Sequence, residues 1–508
     1  MGQYNFTGGI IEKADIVIIG SGMGGATMAA SLADSCRRLV ILERGHHLVE
    51  SDLCRNAKAI FGQGAFQNDE TWDTPIGKEF NPGNYYFVGG NSKLYGAALF
   101  RFRAEDFEEI KHIGGISPAW PITYQEFEPW YQMAEDMYEV CGHIGDDPTE
   151  PFHSGKYSNL PVPHETSILD AASRLAKQGL SPAHLPLGVD IKAWLAGGET
   201  GWDAYPNTGT GKKDAESIGI AKALGHDSVR LEIGCMVKRL ISDESGRITA
   251  VEYQKGNRME RISGKMVILS AGAVNSAAIL LQSASNHYPD GLANRSDQVG
   301  RNFMNHNTHA VLSLHPFRKN PSIYQKTLYF NDYYLSGGPN NEPLGNVQLL
   351  GKITAPILDS QINLPYPMIE WIAQRSIDWY VMSEDLPNPE SRMTIRNDRI
   401  ILDWQRSNWQ ANSLLVSKFK NHLRKAGWPI VLSKAFDRTV PSHQCGTVRF
   451  GNSPESCPLN IWCQAHDHSN LFVVDASFLP NSAAVNPALT IAAQALRVAD
   501  HIKEKLLK

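Results

Sequence analysis

Two short apolar runs with a glycine loop and a small-residue stretch between them open the chain. The first is Ile16 to Ile19; the second, Leu39 to Leu42, ends on Glu43. Each predicts a strand, and the alanine-rich segment between them predicts a helix. At the junction Gly20, Gly22 and Gly25 fall in the pattern G-x-G-x-x-G. Gly20 allows the tight turn, Gly22 lets a pyrophosphate approach the backbone, and Gly25 lets helix and strand pack closely. The helix N-terminus attracts phosphate through its free N–H groups and its dipole. Glu43, at the end of the second run, is placed to accept ribose hydroxyls. The glycine pattern alone is a weak signal; with both strands and the acid it predicts a dinucleotide-binding unit.

Beyond Glu43 the periodicity loosens. Residues 61–84 are rich in Gly, Asn and Asp and read as loop, with 61–80 a candidate lid. Thr123 and Glu126 form a capping box before a helix whose apolar stripe is Phe127, Trp130, Tyr131, Ala134 and Tyr138. Residues 145–215 read as long loops with short elements. Two hairpins are predicted, over Met236–Tyr253 around Ser245-Gly246 and over Arg392–Trp404 around Asn397-Asp398. Between them KMVILSAG (265–272) reads as a buried strand, followed by a helix over Asn275–Gln282. The end returns to an α/β pattern, with a strand over Leu471–Asp475 and a helix over Pro487–Lys505. Dinucleotide signals at the start, the middle and the end predict a discontinuous domain of residues 1–60, 225–310 and 440–508. Residues 61–224 and 311–439 then form a second, substrate-binding domain.

At 508 residues the chain exceeds one simple core, consistent with two intertwined domains. A hydrophobic fraction of 42% and a net charge of −5 describe an ordinary globular protein and give no reason to expect nucleic acid. The opening MGQYNFTGGIIEKAD has no basic n-region, apolar h-region or twin arginine, so no secretory leader is expected. No apolar run approaches the ~18 to 20 residues of a membrane span. Seven cysteines are scattered without a C-x-x-C pair. A reduced, cytoplasmic protein without structural zinc is the expectation. Oligomeric state is not legible.

Four segments together carry a family resemblance. The opening glycine motif, NYYFVGGNSKLYGAALFRFR (84–103), VGRNFMNH (299–306) and the C-terminal HQCGTVRFG…NLFVVDASFLPNSAAVNPALTIAAQALRVADHI resemble the glucose-methanol-choline (GMC) oxidoreductases, in the family's order. The resemblance implies a Rossmann-like FAD domain, a substrate domain with a large antiparallel sheet flanked by helices, and oxidation of an alcohol. The glycine loop and the His/Asn pairing are most similar to pyranose oxidases and to bacterial sugar or glycoside 3-oxidases and dehydrogenases. This implies a sugar or glycoside substrate oxidised at a secondary hydroxyl, with C3 the expected position, and oxygen or a quinone or cytochrome as acceptor. Some pyranose oxidases link the flavin covalently through a histidine in this loop. Here the matching place holds Leu94, so FAD is expected to bind non-covalently.

Carried onto this chain, the resemblance makes His443 the base for the substrate hydroxyl while hydride leaves carbon for the flavin, a role suited to a neutral imidazole. Asn486 is read as its partner on the substrate and, with Pro487 and Ala488, as the start of a helix whose positive end faces the flavin; a plain N-cap is the alternative. Asp475 and Ala476 are expected near the ribityl or pyrophosphate groups, and Val237 beside the adenine unless it is a core valine. Gly90, Asn91 and Lys93 are expected against the isoalloxazine, with a solvated lysine the alternative for Lys93. Gln348 is a candidate substrate contact, or else surface. Cys445 is read as packing. Oxidation of a primary alcohol, a non-redox lyase on the same scaffold, and the flavin subunit of a membrane dehydrogenase complex are the competing functions.

Overall fold

The computed structural model describes residues 12–196, 204–440 and 443–505. The opening segment without a leader signature lies almost wholly outside these residues. The fold is mixed α/β, built on two large sheets.

The first sheet gathers strands from three distant pieces of chain. Its order is Val229–Glu232, Leu39–Leu42, Glu12–Ile19, Arg258–Leu269, Ile248–Lys255, Cys235–Ser242, with Leu471–Val473 also on the long strand Arg258–Leu269. That long strand changes partners along its length. Its start pairs antiparallel with Ile248–Lys255, and its second half lies between Glu12–Ile19 and Leu471–Val473, parallel to both. The buried parallel strands are the continuous apolar runs; Ile16, Val17, Ile18, Leu39, Val40 and Ile41 are fully buried. The helix Met23–Leu32 packs on this sheet, and Ala488–Lys505 packs against that helix and the helix Tyr124–Met137.

The second sheet is antiparallel throughout, in the order Ile430–Ala435, Asn307–Leu314, Ser376–Ser383, Asn346–Leu349, Leu328–Phe330, Ala183–His184. Its two faces separate by the two-residue period of a strand. Val347, Leu349, Trp379 and Val381 pack under the helices Thr166–Ala176 and Trp409–Lys425. Tyr329, Tyr380 and Met382 point the other way, into the larger core. The eleven-residue helix Thr166–Ala176 lies in a stretch expected to be mostly loop; its buried face, Ile168, Ala171, Ala172 and Leu175, has helical spacing that the surrounding prolines and glycines masked.

Local predictions met their structure closely. Thr123 caps the helix Tyr124–Met137, and Glu126 returns the bond to the Thr123 N–H at 2.8 Å. Asn397 and Asp398 take φ of 50° and 60° between the strands Arg392–Arg396 and Arg399–Asp403, as a two-residue hairpin turn requires. The segment 61–80 is not free loop. Its strands Trp72–Asp73 and Glu79–Phe80 join that hairpin in a four-stranded sheet, and Arg399 pairs with Asp73 and Glu79.

One buried ion network fastens the glycine-loop segment to the helix Tyr124–Met137. Arg101 bonds Glu135 twice at 2.7 Å and Glu128 at 2.8 Å, all nearly inaccessible to solvent. Removing the arginine strands two buried carboxylates. Arg101→Met is therefore expected to destabilise the protein by about 3–5 kcal/mol, the cost of breaking a buried pair from one side. A thermal-melting midpoint equal to that of the parent would contradict this.

Candidate active site

A cavity of about 950 Å³ runs between the two sheets. At one end it is lined by Gly20, Gly22, Glu43, Val237, Gly272 and Asp475; at the other by Lys326, Leu350, Tyr380, Phe436, His443 and Asn486. Asn68 to Trp72 and Asp398 to Ile400 close a further side, so the candidate lid is part of the wall, held there by the four-stranded sheet.

The first end is shaped for an elongated anion. The helix Met23–Leu32 starts at Gly22 and the helix Ala273–Gln282 at Gly272, neither with a side-chain cap. The start of Ala488–Lys505 lines the same cavity. Three helix N-termini thus converge on one space, with free N–H groups and dipoles that favour negative charge. The glycines divide the work by geometry. A Cβ on Gly20, at φ +96°, would lie 2.3 Å from the Ser270 carbonyl, and one on Gly25 would lie 2.0 Å from the Gly20 carbonyl. A Cβ on Gly22 would meet nothing within 4 Å: it would project into the cavity. Gly24, outside the motif spacing, is just as constrained, 1.9 Å from the Val474 carbonyl.

Glu43 lines the cavity and accepts from the Ser21 N–H at 3.0 Å, the Ser21 hydroxyl at 2.6 Å and the Gly45 N–H at 2.7 Å. Burial raises its pKa, and those donors oppose the rise. Asp475 takes the Gly272 N–H at 3.0 Å and the Ser276 and Ser477 hydroxyls at 2.5 Å, tying a helix start to the turn Ala476–Phe478. Its pKa too is raised by burial against those donors. Val237 lies on the edge strand of the first sheet, facing the cavity. Gly90, at φ +57°, comes across the cavity to Gly22, with its virtual Cβ 3.4 Å from the Gly22 Cα. Asn91 lines the wall and accepts from the Tyr85 N–H at 2.8 Å.

Two expected contacts point elsewhere. Lys93 does not line the cavity. It is buried behind the loop, paired with Glu216 at 2.6 Å and Asp214 at 3.1 Å, because the short helical turn Gly90–Leu94 rotates it to the far side from Gly90 and Leu94. Gln348 is neither on the cavity wall nor at the surface. It is fully buried, and its Nε2 donates to Asn486 Oδ1 at 2.9 Å. It sits one layer behind the asparagine.

At the second end His443 stands half-buried in the left-handed region, at φ 72°. A non-glycine residue there is strained and persists only where its surroundings hold it. Cys445 and Met304 exchange both backbone bonds at 3.0 Å, and Gly446 and Val448 donate to the Ala476 and Ser477 carbonyls. The chain is clamped immediately after its strained residue. Cys445 itself is buried packing.

Hydrogen positions at His443 follow from its partners. His306, buried at the end of VGRNFMNH, sets its Nε2 against the Ser482 and Ala483 carbonyls at 2.9 and 3.0 Å. Carbonyls only accept, so that nitrogen carries the proton. Burial lowers the His306 pKa and keeps the ring neutral, so its Nδ1 is an acceptor. That Nδ1 lies 2.8 Å from His443 Nδ1, which must therefore be the donor. His443 is neutral as well: burial pushes its pKa well below the usual value, and His306 and Lys326 add to the shift. Its Nε2 is left unprotonated, an acceptor that Asn486 Nδ2 meets at 3.2 Å. A lone pair beside an amide N–H suits a carbinol, whose oxygen both donates and accepts. His306 was not singled out by sequence, since it lies 137 residues from His443; the signal was the motif it ends.

Comparison with known proteins gives the chain a family. Two models of the GMC oxidoreductase family match the chain, over residues 83–308 and 414–495. The chain is 26% identical to the 6'''-hydroxyparomomycin C oxidase of Streptomyces lividus, over 97% of this chain and 92% of that one. It is 26% identical to the paromamine 6'-oxidase of Streptomyces fradiae, with the same coverage. The crystal structure of pyridoxine 4-oxidase from Mesorbium loti shares the fold with a TM-score of 0.64, at 19% identity, over 96% of this chain and 99% of that one. Among the described residues no helix is long and apolar enough to cross a membrane. With both family models matched in order along one chain, and a single cavity joining the glycine loop to the His443–Asn486 pair, this protein belongs to the GMC oxidoreductase family, enzymes that act on CH–OH groups.

Proposed function

We propose that this enzyme binds FAD non-covalently and oxidises a hydroxyl of a sugar or glycoside to a carbonyl, with the secondary hydroxyl at C3 as the first position to test. The observation that carries the reading is the unprotonated Nε2 of His443, met by Asn486 Nδ2, on the cavity wall. The family is one of flavoproteins, and the residues fit such a group: open space at Gly22 for a pyrophosphate, Glu43 for ribose hydroxyls, and Leu94 where a linking histidine could stand. When bound, FAD supplies the acceptor for the two electrons leaving the carbinol carbon. His443 takes the hydroxyl proton at Nε2, and Asn486 holds the same oxygen through Nδ2. His306 holds the imidazole in the required tautomer. Leu350, Tyr380 and Phe436 exclude water from that end and offer apolar faces to a sugar ring.

A primary alcohol of an amino sugar is the alternative substrate, favoured by the paromamine and hydroxyparomomycin oxidases among the relatives. Anaerobic flavin bleaching against a panel of pyranoses, glycosides and aminoglycosides separates the two. Reduction by a pyranose or glycoside, with a ring ketone in the product, is expected. Bleaching by aminoglycosides alone, giving an aldehyde, would move the enzyme to the second class. Bleaching only by simple aliphatic alcohols would end the sugar assignment. Acid precipitation of the holoenzyme is expected to release all flavin as free FAD.

A further inference from the structure

Behind Asn486 lies a chain of buried side-chain amides that ends on an ion pair far from the cavity. Asp147 is buried and paired with Arg103 at 2.7 Å. Burial opposes its charge, but Arg103 and the Thr149 and Asn331 donors hold its pKa below the usual carboxylate value. An ionised carboxylate can only accept, so Asn331 must turn its Nδ2 toward it, as it does at 2.8 Å. Asn331 Oδ1 is then an acceptor, met by Asn346 Nδ2 at 2.8 Å. Asn346 Oδ1 is met by Gln348 Nε2 at 3.0 Å, and the second hydrogen of the same Nε2 goes to Asn486 Oδ1 at 2.9 Å. This leaves Asn486 with Nδ2 toward His443.

Asn331 and Asn346 donate toward Asp147, Gln348 donates to both of its neighbours, and Asn486 donates toward His443; Asn331, Asn346 and Gln348 are fully buried. The carboxylate at one end therefore dictates the sense of the whole series. The sense is kept at a cost: Gln348 Oε1 is buried and unpaired. Reversing that amide would set Oε1 against two carbonyl oxygens, which is worse. The Ser482 and Ala483 carbonyls, acting through His306, favour the same state from the other end. Each end adds to the preference for a His443 that accepts at Nε2, and loss of either weakens it.

We propose that the Asp147–Arg103 pair, acting through Asn331, Asn346 and Gln348, sets the orientation of the Asn486 amide and thereby keeps His443 Nε2 the unprotonated nitrogen, ready to accept from a substrate hydroxyl. Gln348, Asn346 and Asn331 are positioning residues in this scheme. It rests on the assignment of His443 as the base, but its central claim concerns a tautomer and can be read without substrate.

The test uses holoenzyme labelled with ¹⁵N-histidine, with the His443 ring signals identified by their loss in His443→Ala. In the parent, His443 is expected to carry its proton on Nδ1. Gln348→Met removes the donor that holds Asn486 Oδ1 while keeping the side chain's length. Asn486 is then free to turn its oxygen toward His443, and signal from the Nε2–H tautomer should appear. Anaerobic flavin reduction by the best panel substrate should slow roughly tenfold, the scale of one lost hydrogen bond, with half-saturation little changed. Gln348→Glu supplies a single donor only when protonated, so its reduction rate should recover as pH is lowered, whereas the methionine variant should show no such recovery. A parent enzyme with the proton on Nε2 overturns the proposal whether or not the variants fold. So does a methionine variant with an unchanged tautomer, even if slower, because that is loss of packing alone. If no sugar bleaches the parent flavin, the substrate assignment fails, and the tautomer measurement still decides the relay.

Discussion

Replacing His443 with alanine is expected to leave a folded, yellow enzyme that reduces its flavin about 10²- to 10⁴-fold more slowly, the range for loss of a general base. The fold should survive because the loop's clamps are backbone bonds from Cys445, Gly446 and Val448, not from the imidazole. Alanine at φ 72° adds some strain but no clash. Asn486→Ala should cost less, since it removes one hydrogen bond of about 1 kcal/mol and leaves the base in place. The pH dependence has a definite sign. The active form is the neutral ring, so the rate falls as pH drops through the His443 pKa. Burial holds that pKa well below 6.5. The acid limb for flavin reduction should therefore lie below pH 6.5, with no loss of this group's activity between there and neutrality. Stopped-flow reduction across pH reads both effects. An alanine variant as fast as the parent would place the base elsewhere, and an acid limb above pH 6.5 would mean that the surroundings of this imidazole do not favour its neutral form.

The glycine loop gives the second large effect, and it separates folding from cofactor binding. Gly25→Ala puts a Cβ 2.0 Å from the Gly20 carbonyl, where only backbone can yield. That variant is expected to lose both FAD and thermal stability. Gly22→Ala should behave differently. Gly22 has φ −68°, a conformation open to any residue, and its Cβ meets no protein atom. The apoprotein should melt as the parent does. FAD affinity should fall about 10- to 100-fold, because the methyl projects where a pyrophosphate must approach and overpacking costs about 1–3 kcal/mol. Titration of both apoproteins with FAD, beside their melting curves, makes the check. Equal affinity in Gly22→Ala and the parent would mean the diphosphate does not pass this residue.

The candidate site was legible in uneven parts. The dinucleotide end could be read because its signals are local: glycine positions demanded by backbone geometry, two apolar strands and an acid within about thirty residues. The chemistry of His443 and Asn486 came from motif resemblance, and nothing near either residue in sequence shows that they meet. Gln348 was recognised as notable but set in the wrong layer. Its neighbours Val347 and Leu349 face the helices, so alternation sends Asn346 and Gln348 to the other side of the sheet. How deep that side lies below the cavity floor depends on Asn486, 138 residues away. Lys93 failed for a related reason: a single turn of tight helix within a glycine loop decides which side chain faces the cavity, and neighbouring residues differ by a third of a turn.

The amino-acid sequence by itself determined the elements whose energetics are local. These are the strand–loop–helix of the glycine motif, the Thr123 capping box, the Asn397-Asp398 turn and the apolar runs that become buried parallel strands. In each, the deciding signal lies within a few positions of the chain, so propensity and period suffice. Only the tertiary structure decided which polar side chains share a proton. His306 and His443 are 137 residues apart, and Asp147 reaches Asn486 only through Asn331, just past one strand, and two amides on another. Hydrogen-bond sense in a buried chain is a property of its fixed ends. Those ends are brought together by sheet register and a strained loop, neither of which is written in the spacing of residues along the chain.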